Sequence, residues 1–206
     1  MTVWTPRRTT GQPRLFEPVP GAPDFVVPIT LDSWSTAVLT LDRAGSLSLW
    51  TFPADHAPSI RELIPAGRPV RGVLARGAPG VLVAVVDHGS VLAVHRWALA
   101  TATRTQTEPA EVTPCELSTV EIATGGPLVR VALCLRTDTT AVVAAGDSDG
   151  EVRLWHVGPG GHLHDGPTAH TGQAVRALEF LDHEGRVVAV GGGVARCGSC
   201  ASTATR

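Results

Sequence analysis

Residues 141 to 155 read AVVAAGDSDGEVRLW, and this order of residues is typical of a β-hairpin. Ala141 to Ala145 form a continuous apolar run, which indicates a strand covered by neighbouring sheets on both sides. The next residues, 147–150, predict a tight turn in which glycine supplies a positive φ and aspartate accepts local backbone hydrogen bonds. Residues 151–155 alternate polar and apolar side chains, as a half-covered strand does. We therefore expect this hairpin to lie inside a stack of sheets.

The same pattern recurs along the chain. Residues 37–50 read AVLTLDRAGSLSLW, residues 81–94 read VLVAVVDHGSVLAV, and residues 186–193 begin another copy with RVVAVGGG. A shorter apolar run precedes each copy, beginning with FVVPITL at 25–31. The turn glycines Gly45, Gly89 and Gly150 are 44 and 61 residues apart, so the longer interval contains an insertion. A period of this length indicates repeated units that stack on one another.

Three stretches resemble the WD-repeat β-propeller family: LDRAGSLSLW at 41–50, DSDGEVRLW at 147–155 and AHTGQAVRALEF at 169–180. In that family a His opens the inner strand, an Asp-Gly turn joins the two middle strands, and a Trp ends the third strand. The resemblance therefore assigns structural repeat positions to Trp50, Asp149, Gly150, Trp155 and His170.

The chain also departs from the family pattern. Thr51 follows Trp50 and His156 follows Trp155, so the Trp-Asp dipeptide is absent, and Val94 stands where the second unit would carry its Trp. The resemblance implies an all-β fold, a β-propeller of four-stranded antiparallel blades with about four blade equivalents. The ring either closes through its termini or is an incomplete arc. We favour the arc, because four blades is the low end of the propeller range.

The repeat register sets the expected domain boundaries. Residues 1–193 are predicted to form the blades, with an exposed insertion loop at about 98–118 where the Thr/Ala/Glu/Pro-rich stretch lies. Residues 194–206, VARCGSCASTATR, leave the register and predict a disordered tail. An open arc exposes the apolar face of a blade, so we expect self-association through the open blade edge.

Charge and composition exclude some classes of partner. The formal net charge is −2 at pH 7, which provides no basic patch for nucleic acid or for an anionic membrane surface. The apolar runs are too short to cross a bilayer, and the sequence favours a cytoplasmic location. All 17 basic residues are Arg, and Lys, Asn and Tyr are absent, which we attribute to GC-rich coding. Arginine in place of lysine is therefore not a sign of phosphate recognition here.

Two groups of residues are candidates for a functional site. Arg71, Arg130 and Arg176 each follow the Val of an inner strand, which would place three guanidinium groups near a central channel where a protein could bind. The second group is a metal or thiol site that combines Cys197 and Cys200, which form a CxxC, with the histidines between His162 and His183. Because no pair of these histidines has a recurrent zinc spacing with the cysteines, this site is the weaker interpretation.

The sequence thus predicts a noncatalytic protein-protein interaction scaffold that binds another protein or domain, with no cofactor and no metal. Two alternatives stay open at this stage. One is a propeller-fold enzyme or a metal or thiol site at His162–His183 and Cys197/Cys200. The other is a truncated product without an independent function.

Overall fold

The computed structural model describes residues 25–30, 36–42, 44–52, 58–101, 112–125, 128–181, 186–191 and 198–200. These residues form strands, turns and bends and contain no helix, so the predicted all-β class is confirmed. In this part of the chain there is also no helical segment suited to crossing a membrane. Residues 1–24, part of the region predicted to form the blades, lie outside the described ranges.

The strands form four antiparallel sheets in chain order. Sheet 1 consists of β1 (Phe25–Thr30), β2 (Thr36–Leu41), β3 (Leu47–Thr51) and β4 (Ser59–Ile64). Sheet 2 consists of β5 (Gly72–Ala78), β6 (Val81–Asp87), β7 (Val91–Thr101) and β8 (Val112–Ala123). Sheet 3 consists of β9 (Leu128–Leu135), β10 (Ala141–Asp147), β11 (Glu151–Val157) and β12 (Leu163–His170). Sheet 4 consists of β13 (Val175–Phe180), β14 (Val187–Gly191) and β15 (Gly198–Cys200).

The sheets stack face to face, with the first strand of each sheet against the first strand of the next. β1 contacts β5, β5 contacts β9, and β9 contacts β13. Within each sheet the strands pair with their sequence neighbours, so every connection inside a sheet is a hairpin. The first strands therefore lie together on one side of the stack, and we call them the inner strands.

Each pair of neighbouring sheets shares one apolar core. The continuous apolar run of β6 explains why: Leu82 and Ala84 pack in the core shared with sheet 1, whereas Val83 and Val85 pack in the core shared with sheet 3. The run of β10 divides in the same way between sheets 2 and 4. Successive side chains of a strand point to opposite faces, so a strand buried on both faces must be apolar at every position. The prediction of strands covered on both sides is confirmed.

The predicted turn glycines have the expected backbone. Gly45, Gly89 and Gly150 have φ values of 88°, 98° and 88°, in the left-handed region that glycine adopts without a steric cost. Each glycine lies between the second and third strands of its sheet. The hairpin predicted from residues 141–155 is confirmed, with Val143 opposite Trp155.

The insertion is shorter than the sequence predicts. A loop was expected at about 98–118, but β7 continues to Thr101 and β8 begins at Val112. Leu99 pairs with Pro114 and Ala98 with Cys115, so the two strands extend as a long antiparallel hairpin beyond the rest of sheet 2. Main-chain pairing needs no apolar period, which is why the Thr/Ala-rich composition did not indicate these strands. The remaining residues, 102–111, lie outside the described ranges.

The tail is also not entirely without structure. A disordered segment was expected at 194–206, but residues Gly198–Cys200 form β15 and pair with Val187 to Ala189 of β14. This part of the prediction is wrong, because the backbone of a Gly/Ser-rich segment can complete a sheet whatever its side chains are. Residues 192–197 and 201–206 are not described.

Candidate functional site

One edge of the stack carries a turn that is built in the same way three times. In sheet 1 the amide of Gly67 donates to the carbonyl of Ala44 at 2.9 Å. In sheet 2 the amide of Thr124 donates to the carbonyl of Ser90 at 3.0 Å, and in sheet 3 Thr171 donates to Gly150 at 2.8 Å. In each case the turn between the second and third strands accepts a hydrogen bond from the connection that leaves the fourth strand. We call this edge the turn rim.

An aspartate orders each turn of the rim. The Asp42 Oδ1 accepts the amide of Ser46 at 2.9 Å, and the Asp87 Oδ1 accepts the amide of Gly89 at 2.7 Å. The Asp147 Oδ1 accepts two amides, those of Asp149 and Glu151, both at 2.9 Å. These local bonds are the expected role of Asp in tight turns. The carboxylate that organises the third turn is thus that of Asp147, while Asp149 is exposed.

A cavity of about 200 Å³ opens beside the rim, between the inner strands of the first three sheets. Its apolar wall includes Phe25 of β1, Val73 and Leu74 of β5, and Leu128 of β9. The charged groups Asp87 and Arg130 line it as well. We call it the inner cavity. It presents one carboxylate, one guanidinium and an apolar surface within a single opening.

The three arginines that the sequence groups lie on or next to the inner strands, and two of them are in contact. Arg130 lines the inner cavity, and its Nε donates to the carbonyl of Arg176 at 2.8 Å, so Arg130 and Arg176 meet across β9 and β13. A second guanidinium nitrogen of Arg130 donates to the carbonyl of Val129 at 2.7 Å. Arg71 covers the second turn, where its guanidinium would be 3.1 Å from a β-carbon at Gly89, and its amide donates to the carbonyl of Asp87 at 2.8 Å. All three side chains are exposed.

The other predicted repeat positions lie on or near the stacked strands. Trp50 is on β3 and Trp155 on β11, and Trp155 is buried in the core between sheets 2 and 3. His170 is the last residue of β12 and pairs with Glu151, whereas the family pattern places it at the start of the inner strand, which begins here at Val175. Its side chain is exposed.

Sequence reasoning missed the tryptophan of the second unit. Val94 was assigned to its place, but Trp97 on β7 fills that role and is only 2% exposed in the core between sheets 1 and 2. The prediction is wrong because β7 is longer than β3 and β11, so its Trp comes later after the turn. Trp97 comes three residues after Val94, but the adjacent polar residues His95 and Arg96 interrupt the alternation that would have indicated its place on the strand.

The described histidines of the alternative metal site lie on or next to β12 and are exposed. His164 pairs with His156 across β11 and β12, and both His162 and His164 are exposed. Burial lowers the pKa of His156, and the charges of Arg136 and His164 lower it further. Among the described residues no three His, Cys, Asp or Glu side chains form a metal-binding group. His183 and Cys197 lie outside those residues, and of Cys200 only the backbone is described.

Comparison with known proteins gives no family for the chain. No protein-family model matches it, and no curated protein matches it at a significant level.

Proposed function

We propose that the chain is an arc of WD-like propeller blades and works as a noncatalytic interaction scaffold that binds another protein or domain at the inner cavity and turn rim. The arrangement of the sheets supports the architecture. Four antiparallel sheets stack through their inner strands, and the repeated turns join each sheet to the connection that follows it. Such stacks are rigid and present their loops at fixed positions.

The inner cavity is the observation that carries the proposal. Its volume of about 200 Å³ is below the roughly 300–1,000 Å³ of small-molecule and cofactor pockets, so it fits one inserted side chain of a protein partner better than a cofactor. The apolar wall formed by Phe25 and Leu128 can hold an apolar side chain. Asp87 and Arg130 at the same opening can bind the amide and the carbonyl or carboxylate groups of the partner's backbone.

Arg130 is the side chain whose replacement tests this proposal most directly. Arg130→Glu reverses the charge at the inner cavity, and its effect is compared with that of Arg76→Glu. Arg76 is an exposed residue of β5 that does not line the cavity, so it makes the same charge change on a neighbouring strand. Wild-type protein first captures partners from a lysate of the source organism, and each partner is then titrated against the three proteins.

We expect Arg130→Glu to weaken binding by more than about tenfold, as replacement of an interface hot spot does, and Arg76→Glu to change it less than about twofold. Both variants should keep the far-UV circular dichroism of the wild type. A partner that binds all three proteins with the same affinity would refute a binding site at the inner cavity.

A further inference from the structure

The junctions between neighbouring sheets are built alike and have the same orientation along the stack. Trp97 of sheet 2 packs into the core shared with sheet 1, and Trp155 of sheet 3 packs into the core shared with sheet 2. Each of these third-strand tryptophans therefore faces the sheet that precedes its own. The core between sheets 3 and 4 completes the series, and among the described residues no further core joins sheet 4 to sheet 1.

Sheet 1 has an apolar face with no described sheet in front of it. Trp50 alternates with Leu49, which packs against sheet 2, so Trp50 lies on the opposite face. The same face carries Val26, which is 39% exposed, and Ile60, which is 52% exposed. The Trp50 Nε1 donates to the Thr40 Oγ1 at 2.9 Å, so the polar end of the indole is already satisfied. We call this surface the Trp50 face; its apolar members are Val26, Pro28, Val38, Trp50 and Ile60.

Sheet 4 has a matching surface at the other end of the stack, and no sheet among the described residues covers it. Val187 and Ala189 of β14 pack toward sheet 3, so the alternate residues Val188 and Val190 face away from it. Ala177 pairs with Val190 and is exposed on the same side. We call this surface the Val190 face; its members are Ala177, Glu179, Val188 and Val190.

We propose that two copies of the chain associate head to tail, with the Trp50 face of one copy packed on the Val190 face of the other. The chain makes this kind of junction three times internally, and the two end faces are the unused halves of the same junction. Each end face also carries one glutamate, Glu62 on the Trp50 face and Glu179 on the Val190 face. The two carboxylates do not repel each other across the contact, because Glu62 is on the outermost strand of sheet 1 and Glu179 is on the innermost strand of sheet 4.

Closure of the assembly follows from its symmetry. A head-to-tail interface is heterologous, so it forms a ring if the rotation closes and a filament if it does not. Two copies supply twice the four sheets of one chain, which lies at the upper end of the roughly four to eight blades of propellers. A closed pair leaves neither end face exposed, and we therefore expect a dimer rather than a filament.

Two exposed residues allow the interface to be tested without disturbing the cores. Ile60→Asp places a charge on the Trp50 face, and Ala177→Asp places one on the Val190 face. Leu117→Asp is the matched control, since Leu117 is 50% exposed on β8 and belongs to neither face. The mass of each protein in solution is measured by light scattering after size-exclusion chromatography, and circular dichroism checks that each is folded.

We expect wild type and Leu117→Asp to have twice the chain mass of 21.5 kDa, and each end-face variant alone to have the mass of one chain. An equimolar mixture of Ile60→Asp and Ala177→Asp should regain the dimer mass. In this mixture one chain still has an intact Val190 face and the other an intact Trp50 face, so a single junction can form. Only a head-to-tail interface predicts this rescue.

Other results would overturn the proposal. A wild-type monomer at high micromolar concentration would mean that another segment, such as residues 1–24 of the same chain, covers the Trp50 face. A dimer that Ile60→Asp breaks but Ala177→Asp leaves intact would mean that two Trp50 faces meet each other. Dimerisation of both single variants would place the interface elsewhere on the molecule.

Discussion

Gly150 occupies a point of the turn rim where a β-carbon has no room. A β-carbon built there lies 2.4 Å from the carbonyl oxygen of Gln173 and 2.7 Å from the Thr171 Oγ1. The φ value of 88° adds a backbone cost for any residue other than glycine. Gly150→Ala therefore combines a steric penalty with a backbone penalty. Substitution of two other glycines of the chain measures the two penalties individually.

Gly172 and Gly67 provide the matched controls. Gly172 has a φ value of 76°, and a β-carbon at this position would have no neighbouring atom within 4 Å, so Gly172→Ala carries the backbone cost alone. Gly67 has neither a positive φ nor a close neighbour, so Gly67→Ala carries neither penalty. All three substitutions add the same methyl group, and the three positions lie in turns or connections at the same edge of the stack.

The three substitutions are expected to destabilise the protein to different degrees. Gly67→Ala should change the free energy of unfolding by less than about 0.5 kcal/mol. Gly172→Ala should cost about 1 to 2 kcal/mol, the penalty of left-handed backbone for a residue with a β-carbon. Gly150→Ala should cost about 1.5 to 4.5 kcal/mol more than Gly172→Ala, because it adds overpacking against Gln173 and the loss of the hydrogen bond from Thr171.

Urea denaturation followed by tryptophan fluorescence measures these differences as shifts of the midpoint at constant slope. We expect the midpoint to fall in the order wild type, Gly172→Ala, Gly150→Ala, with Gly67→Ala close to wild type. Equal midpoints for Gly150→Ala and Gly172→Ala would refute the close approach of the third turn to Gln173. A large loss for Gly67→Ala would refute the description of the first turn.

Two further predictions concern the cores and their histidines. Trp97→Ala should lower the free energy of unfolding by about 3 to 5 kcal/mol, because Trp97 is buried between sheets 1 and 2. Leu117→Ala, at an exposed position, should lower it by less than about 0.5 kcal/mol. Similar urea midpoints for the two variants would contradict the register of β7. Burial lowers the pKa of both His95 and His156 from 6.5. The unfolded chain therefore binds more protons than the folded chain below about pH 6.5. As a result, stability that is present above about pH 6.5 is lost as the pH falls toward the folded pKa values. The thermal midpoint should therefore be lower at about pH 5.5 than at about pH 7.5, and His95→Gln with His156→Gln should reduce this difference; an unchanged dependence in the double variant would assign it to other groups.

The sequence predicts the strands and turns well where side chains alone determine them. A short continuous apolar run followed by turn residues, as in β6 and β10, indicates a strand buried on both faces, and the turns follow from their Asp and Gly residues. Two segments were not predicted to be strands, because main-chain pairing rather than side-chain pattern stabilises them. The far end of the β7 and β8 hairpin, at residues 98–101 and 112–118, and the short β15 have no apolar period, so their composition does not indicate a partner strand.

The candidate site was predicted only in part, because its members come from distant positions in the sequence. Arg130 was identified from the pattern of the inner strands, and it does line the inner cavity. Nothing in the sequence singles out Asp87, although this residue both orders the second turn and lines the cavity. Its second role depends on how sheets 2 and 3 stack, and that geometry cannot be derived from the spacing within one repeat.

The junction of sheets 2 and 3 also has polar contacts at both of its ends. Away from the rim, Arg96 is 1% exposed, and its guanidinium donates to the carbonyl of Thr139 at 2.6 Å. Burial lowers the pKa of this guanidinium, and the charge of Asp138 offsets part of the effect. At the rim, a guanidinium nitrogen of Arg153 lies 3.5 Å from the carbonyl of Thr124.

These contacts bear on how a partner would bind. The inner cavity lies between β5 and β9, the inner strands of the two sheets that Arg96 and Arg153 connect. Because the sheets are joined on both sides of their shared apolar core, opening the cavity would break a buried hydrogen bond of a charged group, which costs more than a bond between neutral groups. A partner at this cavity is therefore expected to meet a preformed surface, with side-chain adjustments rather than a movement of the sheets.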